Sequence, residues 1–156
     1  MPKIHLSTRV DAPLEVVFDL ARSIDAHVAS TQGTEERAIS GRTSGLIGLG
    51  ETVTWEAKHL GVRQRLTVRI TKMERPFYFE DEMLTGAFKR MHHRHEFSWK
   101  KGSTEMTDHF DFEAPLGFVG WIAERVFLTR YMTRLLDDRA KVLKQLAESD
   151  GWRRYV

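Results

Sequence analysis

A two-residue turn at Lys101-Gly102, flanked by long alternating runs, constrains this chain more than any other feature. Glycine accepts left-handed backbone without strain, so such a pair between alternating segments reads as a tight β-hairpin. The segment Ala87–Phe112 is therefore two antiparallel strands. If Lys100 opposes Ser103, Trp99 faces Thr104, Phe97 faces Met106, His95 faces Asp108, His93 faces Phe110 and Met91 faces Phe112. One face is apolar and aromatic, with a His95/Asp108 pair set into it. The other carries Arg90/Glu113, His92/Asp111, Arg94/His109 and Glu96/Thr107, a solvated surface of mostly complementary charge. A largely apolar wall holding a few titratable groups is how small-molecule pockets are lined.

The rest of the chain supplies partners for that wall. Lys3 to Val10 alternates as a half-buried strand. Asp11-Ala12-Pro13-Leu14-Glu15 then starts a helix, with Asp11 or Ala12 as cap and Pro13 in the first turn. A second helical turn follows around Ile24 to Ala29. Glu35 to Thr43 is a weaker strand, and Ser44 to Gly50 is a glycine-spaced apolar loop. Glu51–Ala57 and Val62–Thr71 alternate again. A loop from Lys58 to Gly61 sets Trp55 opposite Gln64, Val53 opposite Leu66 and Glu56 against Arg63 on the outside. Phe77 to Met83 puts Phe77, Phe79, Asp81 and Met83 on one face. A Leu84-Thr85-Gly86 loop would then set Phe79 opposite Met91, Asp81 opposite Lys89 and Glu80 opposite Arg90. Apolar faces agree across four successive strands, and agreement across independent turns outweighs any single strand assignment. Pro115 to about Ala147 reads as one long helix. Its early glycines, Gly117 and Gly120, suit either a gate or close packing.

This order predicts an α+β fold: a curved antiparallel sheet of about six to seven strands wrapped around a long C-terminal helix, with two short helices after the first strand. One helix cannot fill such a sheet, so a cavity between them is expected. At 156 residues the chain, 1–156, is expected to be one ligand-binding domain. Its 24 basic and 22 acidic residues are interleaved, so neither the net charge of +2 nor the charge pattern points to nucleic acid. The absence of cysteine removes disulfides, thiolate metal sites and cysteine nucleophiles, and suits a cytoplasmic setting. No signal peptide and no apolar run of the roughly 20 residues needed for a membrane span is visible.

The strand-to-helix opening Val10-Asp11-Ala12-Pro13-Leu14-Glu15-Val16-Val17-Phe18 resembles that of the START-like, SRPBCC helix-grip superfamily, and the resemblance extends over essentially the whole chain. The glycine loop Gly45–Gly50 sits where many members carry a glycine-rich loop near the pocket mouth. Within the superfamily, Phe79-Glu80-Asp81-Glu82-Met83, Gly86-Ala87-Phe88, His93-Arg94-His95 and Ala114-Pro115-Leu116-Gly117 are similar to a bacterial branch of small ligand-binding proteins. The resemblance implies polyketide cyclases and dehydratases, lipid-transfer domains and co-chaperones as functional models. It places a pocket far more firmly than it names a chemistry.

Three groups of residues compete for a role. His92-His93-x-His95 invites a metal reading, but alternation turns His92 outward and leaves only His93 and His95 inside. An inward triad of His93, His95 and Asp108 faces Phe110 and Met106, and Asp81 alone could add a second carboxylate. No metal and no cofactor are expected. His95/Asp108 could be an acid–base pair, a buried pair that satisfies itself, or a grip on a ligand hydroxyl or carbonyl. Asp81 is expected to pair with Lys89 or to be solvated at the pocket mouth. Leu46, Ile47 and Leu49 suit either a lid or an ordinary loop. The expected ligand-binding set is Trp55, Gln64, Phe79, Asp81, Met91, His93, His95, Phe97, Met106, Asp108 and Phe110. The expected function is binding or transport of a small hydrophobic or aromatic ligand. The alternatives are a cyclase, dehydratase or hydrolase using His95/Asp108, and a co-chaperone-type interaction module if side chains fill the cavity. Oligomeric state is not set by the sequence.

Overall fold

Period-two alternation over β1 (Lys3–Val10) buries Ile4 and Val10 and exposes Lys3, His5, Ser7 and Arg9. A computed structural model describes residues 2–114 and 121–156, with side chains over 2–114 and 126–156. After β1 come α1 (Leu14–Ala21), α2 (Ile24–Ser30) and a 3-10 turn at Gln32–Thr34. Six strands follow: β2 (Arg37–Gly41), β3 (Thr52–His59), β4 (Val62–Glu74), β5 (Tyr78–Thr85), β6 (Arg90–Lys100) and β7 (Ser103–Glu113). The long helix α3 (Trp121–Ala147) and a 3-10 segment at Asp150–Arg154 end the chain. The strands form one antiparallel sheet in the order β1-β7-β6-β5-β4-β3-β2. This is the α+β helix-grip architecture expected from the sequence. The helix start assigned to Pro115, with Gly117, Phe118, Val119 and Gly120, lies outside the described residues.

The β6–β7 hairpin pairs in the expected register from Arg90–Glu113 to Lys100–Ser103. Lys101 and Gly102 lie at φ 51° and 79°, the left-handed pair whose twist matches the strands it joins. Trp99 opposes Thr104 as expected, but at the hairpin tip it is 55% exposed and lies outside the core.

Two other registers differ from the sequence reading. In β3–β4 the connection is not a four-residue loop but a two-residue turn at Leu60-Gly61, with φ 53° and 80°. Leucine seldom takes left-handed backbone, which hides this turn. Trp55 therefore opposes Leu66, Val53 opposes Val68, and Gln64 opposes Ala57. The β5–β6 register moves by four: Phe79 opposes His95, Glu80 opposes Arg94 and Asp81 opposes His93. Gly86 is not the centre of a tight turn. A Cβ there would come within 2.8 Å of Leu66 and Met83, so the glycine serves close packing. The longer connection lets Phe88 pack against Phe112, with ring centroids 5.3 Å apart and the planes tilted by 51°. Both shifts are even-numbered, so every side chain keeps its face. Phe77 precedes β5 and is 52% exposed, so it does not join that inner face.

At the start of α1 the cap is Pro13, not Asp11 or Ala12. The Val17 N–H donates to the Pro13 carbonyl at 3.1 Å. Proline lacks an N–H, and its fixed φ suits this boundary. The Asp11 N–H instead donates to Glu148 Oε2 at 2.7 Å, tying the end of β1 to the end of α3. Phe18 from α1 is fully buried, with its ring edge-on to Phe79 and Phe97 at 5.5 and 5.3 Å. Leu136, Ala140, Leu143 and Ala147 bury the second half of α3. The two alanines allow close approach there, while the first half of the helix stands away from the sheet.

On the convex face, buried Glu56 meets Arg37, Arg63 and Arg65 at 2.6, 3.0 and 3.1 Å. Hydrogen bonds from Arg37 and then Arg63 pull its pKa down to about 2 from 4.5. A depressed carboxylate stabilises the fold above its unfolded pKa and loses that contribution as pH falls through the folded value. Glu56→Gln is expected to lower the urea midpoint at pH 7. It should also flatten the midpoint's fall between pH 4.5 and about 2. Urea titrations of both proteins across that range check this.

Candidate functional site

A cavity of about 750 Å³ lies between the concave sheet and α3, within the size range of pockets that enclose small molecules. The inner faces of β3 to β6 form its floor. Leu128, Met132 and Leu135 on α3 form its roof, and α2 closes one end. Of the eleven residues expected at the site, Trp55, Gln64, Phe79, Asp81, Met91, His93, His95 and Phe110 line this cavity. Phe97, Met106 and Asp108 do not. Phe97 packs against Phe18. Met106 and Asp108 lie beneath α3 around a void of about 10 Å³ shared with His95 and Arg139.

Four titratable groups from three strands form one network. The β6–β7 register opposes His95 and Asp108, and the β5–β6 register opposes His93 and Asp81. Asp108 Oδ1 lies 2.8 Å from His93 Nε2 and 3.1 Å from His95 Nδ1. His95 Nε2 in turn lies 3.0 Å from Asp81 Oδ2. Asp81 is therefore neither paired with Lys89 nor solvated at the mouth. Lys89 binds Glu113 at 3.0 Å instead. His93, His95 and Asp108 are 5%, 4% and 7% exposed.

The environment separates the two imidazoles. Burial disfavours charge on His95 most strongly, but hydrogen bonds to Asp108 and Asp81 outweigh it and raise its pKa above 6.5. Burial, followed by the charge of His95, pushes His93 below 6.5. Burial opposes the charged form of Asp108, yet its bonds to both histidines hold its carboxyl well below the usual carboxylate range. The two carboxylates thus favour a proton on His95, while burial favours the neutral form of His93.

A second polar group stands at the α2 end, and the sequence reading missed it. His27 stacks on Trp55 with ring centroids 4.0 Å apart, and its Nε2 lies 2.8 Å from Glu36 Oε1. Burial lowers the His27 pKa, against the pull of Glu36. His59 Nδ1 meets the Tyr131 hydroxyl at 2.8 Å, linking β3 to α3 across the cavity rim. Arg139 also reaches the cavity and donates from Nη2 to the Ala21 carbonyl at 3.0 Å. A signal was present: Tyr131 and Arg139 interrupt the apolar stripe of α3 at helical spacing from Leu135. The glycine loop is pinned to the helices. Ile24 N donates to Gly45 O at 2.9 Å, Ile47 N to Arg22 O at 3.2 Å, and Gly45 N to Asp25 Oδ2 at 2.9 Å. Ile47 is buried and touches the cavity, while Leu49 points away and is exposed.

No family model matches the chain, and no curated protein sequence matches it. Solved structures do. A protein from Thermus thermophilus, TTHA0849, superposes with a TM-score of 0.77 at 16% identity, covering 92% of this chain and 95% of that one. The Zhui aromatase/cyclase from Streptomyces sp. R1128 gives 0.76 at 15% identity, covering 94% and 93%. A START superfamily protein from Mycobacterium smegmatis gives 0.70 at 12% identity, covering 94% and 97%. The chain has a START-like fold. Within that START-like frame, the Asp81–His95–Asp108–His93 network is built by this chain's own residues. No described helix is long and apolar enough to cross a membrane.

A histidine with a raised folded pKa stabilises the protein below its unfolded pKa, and that contribution fades as pH rises through the folded value. Asp81→Asn removes one of the two carboxylates that favour the His95 charge. The His95 ring proton titration, followed by NMR, should shift to lower pH in that variant. An unmoved titration would show that Asp81 does not hold the proton.

Proposed function

We propose that this protein binds a small, mostly apolar, flat aromatic ligand bearing at least one hydroxyl or carbonyl group. The observation that carries the reading is a cavity of about 750 Å³ whose apolar floor is interrupted by Asp81, His93 and His95. Apolar walls supply affinity through burial, and a few fixed polar groups supply orientation. Trp55, Phe79 and Phe110 offer ring faces and edges for an aromatic ligand. The whole chain acts as one ligand-binding domain in the cytoplasm, a setting that suits a chain without cysteine. The convex-face charges are largely paired, which supports a small-molecule partner over nucleic acid. An interaction module with a filled interior is disfavoured by the size of the open space.

The network favours a second reading, in which a bound ligand undergoes cyclisation, dehydration or hydrolysis. His95 would donate or accept the proton, with Asp108 and Asp81 orienting its ring. Titratable groups pushed apart by a shared environment are the usual source of acid and base assignments.

Trp55 provides the direct test. Addition of hydroxylated polycyclic aromatics should quench its fluorescence, and Trp55→Phe should remove that response. Ala57→Phe, which fills the floor of β3, should weaken binding at least tenfold, roughly 1.4 kcal/mol, while the fold persists by circular dichroism. Saturable binding in neither native mass spectrometry nor fluorescence would overturn the reading. His95→Gln separates the two uses: a carrier keeps affinity within several-fold and shows no turnover, whereas an enzyme loses turnover and keeps binding.

A further inference from the structure

We infer that Asp81, His93 and His95 form a site for one divalent transition-metal ion of the zinc or ferrous type, with Asp108 orienting both imidazoles from behind. The inference does not rest on the ligand reading, because metal binding is measured without a ligand. Among the described residues, one donor atom from each of the three lies within 4.8 Å of the other two. Two imidazoles and a carboxylate suit borderline divalent ions and leave coordination positions unfilled. His95 Nε2 and Asp81 Oδ2 are 3.0 Å apart, close to the roughly 3.0–3.4 Å between neighbouring ligands on an ion with bonds of about 2.1 Å. The His93 donor lies within 4.8 Å of both, so an ion would have to draw it closer.

The surroundings supply the second, independent argument. A ligating histidine normally donates its other ring N–H to a carboxylate, which fixes the tautomer and ring orientation. Asp108 Oδ1 stands at 2.8 Å from His93 Nε2 and 3.1 Å from His95 Nδ1, behind both rings. That leaves Nδ1 of buried His93 with no hydrogen-bond partner among the described residues. His93 lines the cavity, so that free nitrogen is open to a cation entering from the ligand space. Charge also allows a cation. Binding an ion displaces any proton on His95, and with both imidazoles then neutral two carboxylates face one nearby guanidinium, Arg139, leaving net negative charge to hold the cation. The three residues line the cavity, so the remaining positions on the ion would face the ligand space and accept an oxygen there.

The exposed His5 and His109 rings, 4.7 Å apart on the convex face, are the competing site. Zinc titration of the metal-stripped full chain by calorimetry, with cobalt absorption spectra, tests the proposal. One equivalent should bind. Asp81→Asn and His93→Gln should each abolish stoichiometric uptake, Asp108→Asn should weaken it about 10–100-fold, and His109→Gln should change nothing. Should a variant fail to fold, ring-proton NMR of the wild type decides the case. Zinc should move the His93 and His95 signals. No uptake by the wild type, or shifts confined to His5, His92 and His109, would overturn the inference.

Discussion

The two left-handed residues at Lys101 and Gly102 place every polar group in the β6–β7 wall. A two-residue turn leaves no slack, so register is fixed from Lys100–Ser103 to Arg90–Glu113. A slip of one residue in β6 against β7 would turn His93 and His95 out to solvent, away from Asp108, and bring His92 and Arg94 into the cavity. The turn therefore decides which ionisable groups are buried, even though it lies at the far end of the hairpin from the cavity. Val10, Phe18 and Phe97 then pack that end tightly, and α3 must stand off from the sheet elsewhere.

Burying two carboxylates and two imidazoles together is tolerable only because they satisfy one another. Asp108 serves both rings through a single oxygen, and His95 is shared by two carboxylates. Such a network resists piecemeal change, since removing one member leaves the others buried without partners. The convex face follows different physics. Glu56 and Glu80 are ringed by basic side chains that remain partly solvated, so their charges stiffen the sheet without creating a site.

The fold was legible because alternation, turn glycines and one long terminal helical stretch all agree. Which face each strand buries was legible as well, even where register was not. The misread registers had specific causes. Leu60 occupies a left-handed turn position that sequence rules reserve for glycine or asparagine, and Gly86 answers to the space left by Leu66 and Met83, not to a turn. The second error mattered more. Shifting β5 by four rungs takes Asp81 away from Lys89 and sets it opposite His93, turning a His95/Asp108 pair into a four-member network. His27 and Glu36 were hidden because α2-to-sheet packing, which sets His27 on Trp55, has no periodicity to read, while Arg139 showed only as a break in the apolar stripe of α3.

The open side of the network selects its guest. Among the described residues, neither His93 Nδ1 nor Asp81 Oδ1 has a hydrogen-bond partner, and with His93 neutral both are acceptors. A wholly apolar molecule filling the cavity would seal both without a donor, at about 1–3 kcal/mol each. A hydroxyl, an N–H or a cation at the same point supplies what they lack. The apolar floor therefore sets how tightly a guest can be held, and these two acceptors set which end of it faces β5 and β6. Donor recognition by a neutral imidazole and a carboxylate is the property common to a ligand grip, a proton-transfer pair and a metal site. The same few atoms accordingly govern all three.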